Sequence, residues 1–183
     1  MGDGALVLRR PDGMLLAVVD GVGHGAEAAD VRRAAEEIIQ QAAGVDVRSI
    51  AASCHEGLKA TRGATLGLVW LDRGAATASW LGVGTVAGVL HRAGPGPRGS
   101  ALLMPQGGGA LGRRLPALHP ALVPVHAGDT IVLATDGLDR RFIHEVPGVF
   151  QTEQQIADRI IDLHASGRDD ALVLVARCTG APA

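Results

Sequence analysis

The stretch Leu15–Gly25, LLAVVDGVGHG, limits what this chain can fold into more than any other. A short apolar run of strand length ends on Asp20 and passes directly into Gly-Val-Gly-His-Gly. An alanine-rich segment with helical spacing follows. Strand, acid, glycine turn and helix in that order put a carboxylate at the mouth of a sheet.

The residues ahead of it supply a partner for that carboxylate. Ala5–Leu8 and Met14–Val19 are apolar runs separated by Arg9-Arg10-Pro11-Asp12-Gly13, which has the composition of a tight turn and predicts a hairpin. Asp3 stands just before the first strand and Asp20 just after the second. An antiparallel pairing would bring the two acids side by side.

Behind the turn, Val31, Ala35, Ile38, Ile39 and Ala42 recur at helical spacing, predicting an amphipathic helix over 26–43 that Gly44 ends. A second helix is predicted over 47–60, with Ile50, Ala51, Cys54 and Leu58 inward. Three β-like runs, 64–71, 75–81 and 85–91, have the rhythm of an antiparallel meander. A proline- and glycine-rich loop at 92–100 precedes a short run at 101–104. Gln106–Arg114, QGGGALGRR, reads as a flexible loop open to a substrate.

Two further runs, 121–126 and 130–135, predict a hairpin turning at Gly128-Asp129, and the second of them leads into Asp136-Gly137. Thr152 and Gln155 occupy capping-box positions at the start of a helix to His164, with Ile156, Ile160, Ile161 and Leu163 as its apolar stripe. Asp169-Asp170 then opens a last strand over 171–178, expected to be buried. Hairpin order with helices inserted in two blocks is an α+β pattern, not an alternating βαβ one.

At 183 residues the chain suits one domain spanning 1–183. A formal net charge of -2 and a pI near 6.4 lack the basic face that a nucleic-acid protein carries. The isolated Cys54 and Cys178 have neither metal-site spacing nor the density of a disulfide framework. No apolar run reaches the roughly 18 residues of a membrane span, and no signal-peptide order opens the chain. The expectation is a cytoplasmic protein that binds neither nucleic acid nor membrane.

Asp20 and Asp136 each end an apolar run before a glycine, and Asp169 just precedes one. Carboxylates held at strand ends suit hard divalent cations, which take oxygen ligands. Two simpler readings compete. Asp-Gly is a common turn signal, and it accounts for Asp12-Gly13 outright; Asp20-Gly21 differs because a helix follows it. A dinucleotide loop would need G-x-G-x-x-G, whereas Gly21, Gly23 and Gly25 are spaced G-x-G-x-G.

The run D-G-V-G-H-G-A-E-A-A from Asp20 to Ala29 resembles the D-x-x-G-H-G-x-x-A-A signature of bacterial PPM-type metal-dependent serine/threonine phosphatases of the SpoIIE-like branch. Gly2-Asp3, Arg62-Gly63-Ala64-Thr65, Gly82-Val83-Gly84, Gly128 to Gly137 and Asp169-Asp170 match further motifs in the same order. The resemblance covers nearly the whole chain and is greatest to the short RsbX-type members, which act in stressosome signalling. It implies a PPM-type β-sandwich of two antiparallel sheets flanked by helices. It also implies a two-ion Mn²⁺ or Mg²⁺ site: Asp20 bridging, Gly21 giving its backbone carbonyl, Asp136 and Asp169 completing it, and Asp3 as a further acidic ligand.

The implied reaction is direct attack by a metal-activated water on phosphoserine or phosphothreonine of a stressosome or anti-sigma-pathway protein, with no phosphorylated enzyme residue. His24 is a candidate proton donor to the leaving oxygen, and Arg62 a candidate phosphate ligand. The family pattern carries another strand ahead of Gly-Asp. This sequence has only Met1 there, so Asp3 is expected near a frayed end, with a catalytically weak PPM-shaped interaction module as the rival reading.

Overall fold

The computed structural model describes residues 2–42, 46–94, 101–145, 147–148, 151–167 and 169–179. Two sheets stack face to face, with helices on both outer sides. The first sheet runs β1 (Asp3–Arg10), β2 (Gly13–Gly21), β3 (Ala64–Asp72) and β4 (Thr77–Val83) as antiparallel neighbours. The far edge of β4 takes two short strands, β7 (Gln106–Gly107), parallel to it, and β8 (Ala121–Pro124), antiparallel. The second sheet has the order β10 (Val173–Arg177), β9 (Thr130–Ala134), β5 (Ala87–His91) and β6 (Ala101–Leu103).

Three cores separate four layers. Leu15, Ala17 and Val19 of β2 point to one side, where α1 (Gly25–Gln41) and α2 (Val47–Gly57) cover them. Leu16 and Val18 point to the other, meeting Leu90, Ile131 and Leu133 of the second sheet. Because β2 is buried on both faces, it reads as an unbroken apolar run without alternation. On the outside of the second sheet, Val89 and Val132 pack on Ile156 and Ile160 of α3 (Glu153–His164) and on Phe142 of the 3-10 turn Arg140–His144.

Local chemistry sets the helix starts. The Asp46 carboxylate accepts from the amides of Arg48 and Ser49 and caps α2. Thr152 and Gln155 form the expected capping box on α3. The expected helix end at Gly44 lies outside the described residues, and Ala42 is the residue that caps α1. No helix among the described residues is long and apolar enough to cross a membrane.

Several expectations from local pattern are corrected. The meander stops after β4, because Gly84 turns the chain at φ 85° and sends β5 into the second sheet. The hairpin expected at Gly128-Asp129 is likewise a crossing, with β8 in the first sheet and β9 in the second. Leu163 is 56% exposed and so lies off the apolar stripe, while Ala157 joins it. Strand β10 is a half-buried edge, not a buried strand. Alternation tells which face a residue takes, but not which strand it pairs with.

At the second crossing, the wholly buried Asp129 holds the chain. Burial alone would raise its pKa, but amide bonds from Ala93 (2.8 Å) and His126 (3.0 Å) and the Arg92 guanidinium (2.6 Å) hold it below the usual carboxylate range. Removing it strands a partly buried cation and two amides. Asp129→Ala is expected to lose about 3 kcal/mol of unfolding free energy, read from the urea midpoint.

Candidate active site

The site is built first from the β1–β2 ladder, in which Asp3 and Asp20 are direct partners. The Gly21 amide donates to the Gly2 carbonyl (3.0 Å), and the Gly2 amide donates to Asp170 Oδ2 (2.9 Å). Asp3 Oδ2 accepts from the Thr135 hydroxyl at 2.6 Å. These bonds tie Asp3 into both sheets, so the expected fraying is not seen.

On its other side, Asp20 is paired with Thr65 of β3, whose hydroxyl donates to Asp20 Oδ2 at 3.3 Å. Thr85 donates in turn to the Thr65 hydroxyl, also at 3.3 Å. Gly21 is required by packing: a Cβ there would stand 2.3 Å from the Ala28 carbonyl of α1. The helix therefore seats directly on the turn after Asp20.

The second sheet brings the other two acids. Asp136 follows the end of β9, and Asp169 precedes β10, the neighbour of β9. Thr135 joins the segments, since its hydroxyl also accepts from the Leu172 amide (3.0 Å) while its own amide donates to the Leu172 carbonyl (3.1 Å). A Cβ on Gly137 would lie only 1.9 Å from the Asp170 carbonyl. That glycine lets the Asp136 turn sit against the Asp169-Asp170 turn, and both acids are exposed.

The electrostatics show that the four aspartates share one region. Burial, then the charges of Asp3 and Asp136, and finally Asp169, push Asp20 up to about 7 against the bond from Thr65. Burial chiefly raises Asp3 as well, opposed by the Thr135 bond and the positive charge of the amino terminus and reinforced by Asp136 and Asp169. Among the described residues no three histidine, cysteine or acidic side chains form a ready cage. The carboxylates are neighbours, and the charges of Asp136 and Asp169 raise the proton affinity of both Asp20 and Asp3. A set of carboxylate oxygens beside the Gly21 carbonyl fits a hard divalent cation.

Two other expected site residues stand differently. His24 is exposed at the N-cap of α1, where its side chain makes no capping bond. Arg62 lies over Gly23, its guanidinium 3.1 Å from where a Cβ would be, and is ion-paired with Glu27 at 2.6 Å. It is therefore engaged by α1. Cys54 is fully buried and its thiol is pushed up to about 12, which removes it as a nucleophile.

Sequence reasoning did not single out Thr65, Thr135 or Asp170. Thr65 and Thr135 lie inside motifs already noted, and a hydroxyl next to a candidate ligand was the available signal. Asp170 gave none beyond its adjacency to Asp169.

The family model for stage II sporulation protein E matches residues 10–179. The phosphoserine phosphatase RsbX of Bacillus subtilis (strain 168) is 25% identical over 157 residues, which is 86% of this chain and 77% of RsbX. A chain from a structure of the bacterial stressosome, as adapted to secondary messenger signaling, superposes with a TM-score of 0.85 at 28% identity, covering 96% of this chain and 91% of that one. RsbX in complex with magnesium gives 0.80 at 23%, covering 95% and 85%, and so speaks for the fold.

The raised pKa of Asp20 has a stability consequence. The folded metal-free protein holds that proton to about pH 7, while the unfolded chain releases it near the ordinary aspartate value of 3.8. Ionisation is then harder in the folded state, so this group's contribution is lost as pH rises from about 4 through 7. In chelator, Asp20→Asn is expected to melt at a higher temperature than wild type at pH 8, with the gap closing at pH 4 in scanning calorimetry. With the aspartates gathered at one end of a two-sheet sandwich and the family model spanning most of its length, the chain belongs to the SpoIIE family, as a PPM-type serine/threonine phosphatase domain.

Proposed function

We propose that this chain removes phosphate from phosphoserine or phosphothreonine of a bacterial signalling protein, in a reaction that depends on two Mn²⁺ or Mg²⁺ ions. The observation that carries the reading is the gathering of Asp20 with Asp3, Asp136 and Asp169, in which the half-buried Asp20 is pushed up first by burial and then by the charges of the other three. Asp20 and the Gly21 carbonyl, with Asp136, Asp169 and Asp3, would hold the ions. Bound there, the ions supply positive charge that acidifies a water and offsets charge on the phosphate.

The chain's own residues do the positioning. Thr65 and Thr135 orient the Asp20 and Asp3 carboxylates and favour their ionised forms, the forms that bind cations. Packing of Gly21 on Ala28 fixes the carbonyl that follows Asp20. His24, exposed in the same turn, is assigned as proton donor to the leaving oxygen. Arg62 enters as a phosphate ligand only by exchanging Glu27 for phosphate.

The likeness to RsbX and to the stressosome chain supports a phosphoserine protein of a stressosome or sigma-factor-control pathway as substrate. The rival reading, a catalytically weak PPM-shaped module, depended on a frayed Asp3. The ladder pairing and the Thr135 bond take that support away.

Wild-type protein with added Mn²⁺ is expected to hydrolyse p-nitrophenyl phosphate and a phosphoserine protein. EDTA should abolish the activity, and Asp20→Asn or Asp136→Asn should lower it about 100-fold or more, since several kcal/mol of charge stabilisation is lost. Wild-type turnover no greater than that of both variants in Mn²⁺ would overturn the reading.

A further inference from the structure

The segment 106–114, expected to be loose, is tied to the site by its backbone. Gln106 and Gly107 pair with Gly82 and Val83 of β4. Leu111, fully buried, exchanges two hydrogen bonds with Ala64 (2.8 and 3.1 Å), the residue whose other ladder partner is Gly21. The Gly112 amide donates to His55 Nδ1 at 3.0 Å. A Cβ on Gly84 would lie 3.0 Å from the Gly109 carbonyl and 2.5 Å from Thr65 Cγ2, so the segment runs beside the threonine that holds Asp20.

That fixed backbone places cations at the rim. A Cβ on Gly63 would lie 2.9 Å from Arg113 Cγ, and the Gly63 carbonyl accepts from the Val22 amide (2.9 Å) in the turn after Asp20. Arg113 therefore rests one hydrogen bond away from the glycine turn. From the second sheet's side, Arg140 donates through Nη2 to Gln106 Oε1 at 2.9 Å, while the Gln106 amide group bonds to the Val86 carbonyl. Both arginines are exposed.

Their charges are free where neighbouring ones are not. Arg62 is paired with Glu27 and Arg141 with Asp139. Arg140 has a neutral amide as its partner, and among the described residues neither it nor Arg113 has a carboxylate. Arg113, and Arg140 through Gln106, thus present exposed positive charge on a segment that packs beside Thr65 and the turn after Asp20.

Resting on the phosphatase reading, we propose that Arg113 and Arg140 recognise acidic side chains flanking the phosphorylated residue, so that the substrate is an acidic phosphoprotein segment. Guanidinium groups suit carboxylates, and rim charges steer encounter as well as holding a bound segment. An extended segment advances roughly 3.3 Å per residue, so carboxylates two to four positions from the phosphoserine stand roughly 7 to 13 Å from it, which is where the two arginines would meet them. The centre takes the phosphate, and the rim reads its surroundings.

The test compares two phosphoserine peptides, identical except that aspartates at two to four positions on both sides are asparagines in the second. Wild type is expected to favour the aspartate peptide about tenfold in kcat/KM, mostly through KM, with the preference shrinking as salt rises from 0.05 to 0.5 M. The double variant Arg113→Glu, Arg140→Glu should bring that ratio to one or below, and Arg113→Lys, Arg140→Lys should keep most of it. A ratio within one protein is insensitive to partial loss of folded material. No wild-type preference, or one that survives in the glutamate variant, overturns the inference. If wild type turns over neither peptide nor p-nitrophenyl phosphate, the phosphatase reading fails instead. Fluorescence anisotropy with the two labelled peptides, which needs no turnover, then decides the rim by the same ratio.

Discussion

Two like charges side by side on one ladder, Asp3 against Asp20, are the constraint around which the rest of this structure is arranged. A half-buried pair of carboxylates repels, and Asp136 and Asp169 add to the repulsion. Such a cluster costs folding free energy unless hydrogen bonds or cations offset it. Thr135 on Asp3 and Thr65 on Asp20 supply bonds from two different sheets. The site is therefore also a joint between the layers.

That joint explains features that look unrelated along the chain. Thr135 bonds Asp3 with its hydroxyl and Leu172 with both its hydroxyl and its amide, so one residue aligns β1 with the β9–β10 edge. Gly137 allows the turns carrying Asp136 and Asp169 to touch, and Gly21 allows α1 to seat behind Asp20. At Gly128-Asp129 the chain changes sheets, held by Arg92 and the amides of Ala93 and His126. Without that crossing, Asp136 would end a strand in the wrong sheet.

Much of the fold was legible because local chemistry dictated it. The β1–β2 hairpin follows from two apolar runs around a Pro-Asp-Gly turn, and its antiparallel register alone brings Asp3 to Asp20. Helix α3 is set by Thr152 and Gln155, and α2 by the inward faces of Ile50, Ala51, Cys54 and Leu58. The segment 106–114 misled because its glycines suggest mobility, whereas they admit close backbone contact: Gly112 stands on the Leu58 carbonyl, and Leu111 is sealed against Ala64.

By itself, then, the sequence determined the strand, acid, glycine and helix order around Asp20, the hairpin that supplies Asp3, and the motif series that marks the family. Each of these depends on neighbours a few residues apart, where turn chemistry and periodicity are decisive. Only the tertiary structure decided which sheet β5, β8 and β9 enter, how the turns of Asp136 and Asp169 come to lie against each other, and that Thr65 and Thr135 bond Asp20 and Asp3. Those outcomes depend on contacts between residues far apart in the chain, and apolar alternation is the same whichever partner a strand finds.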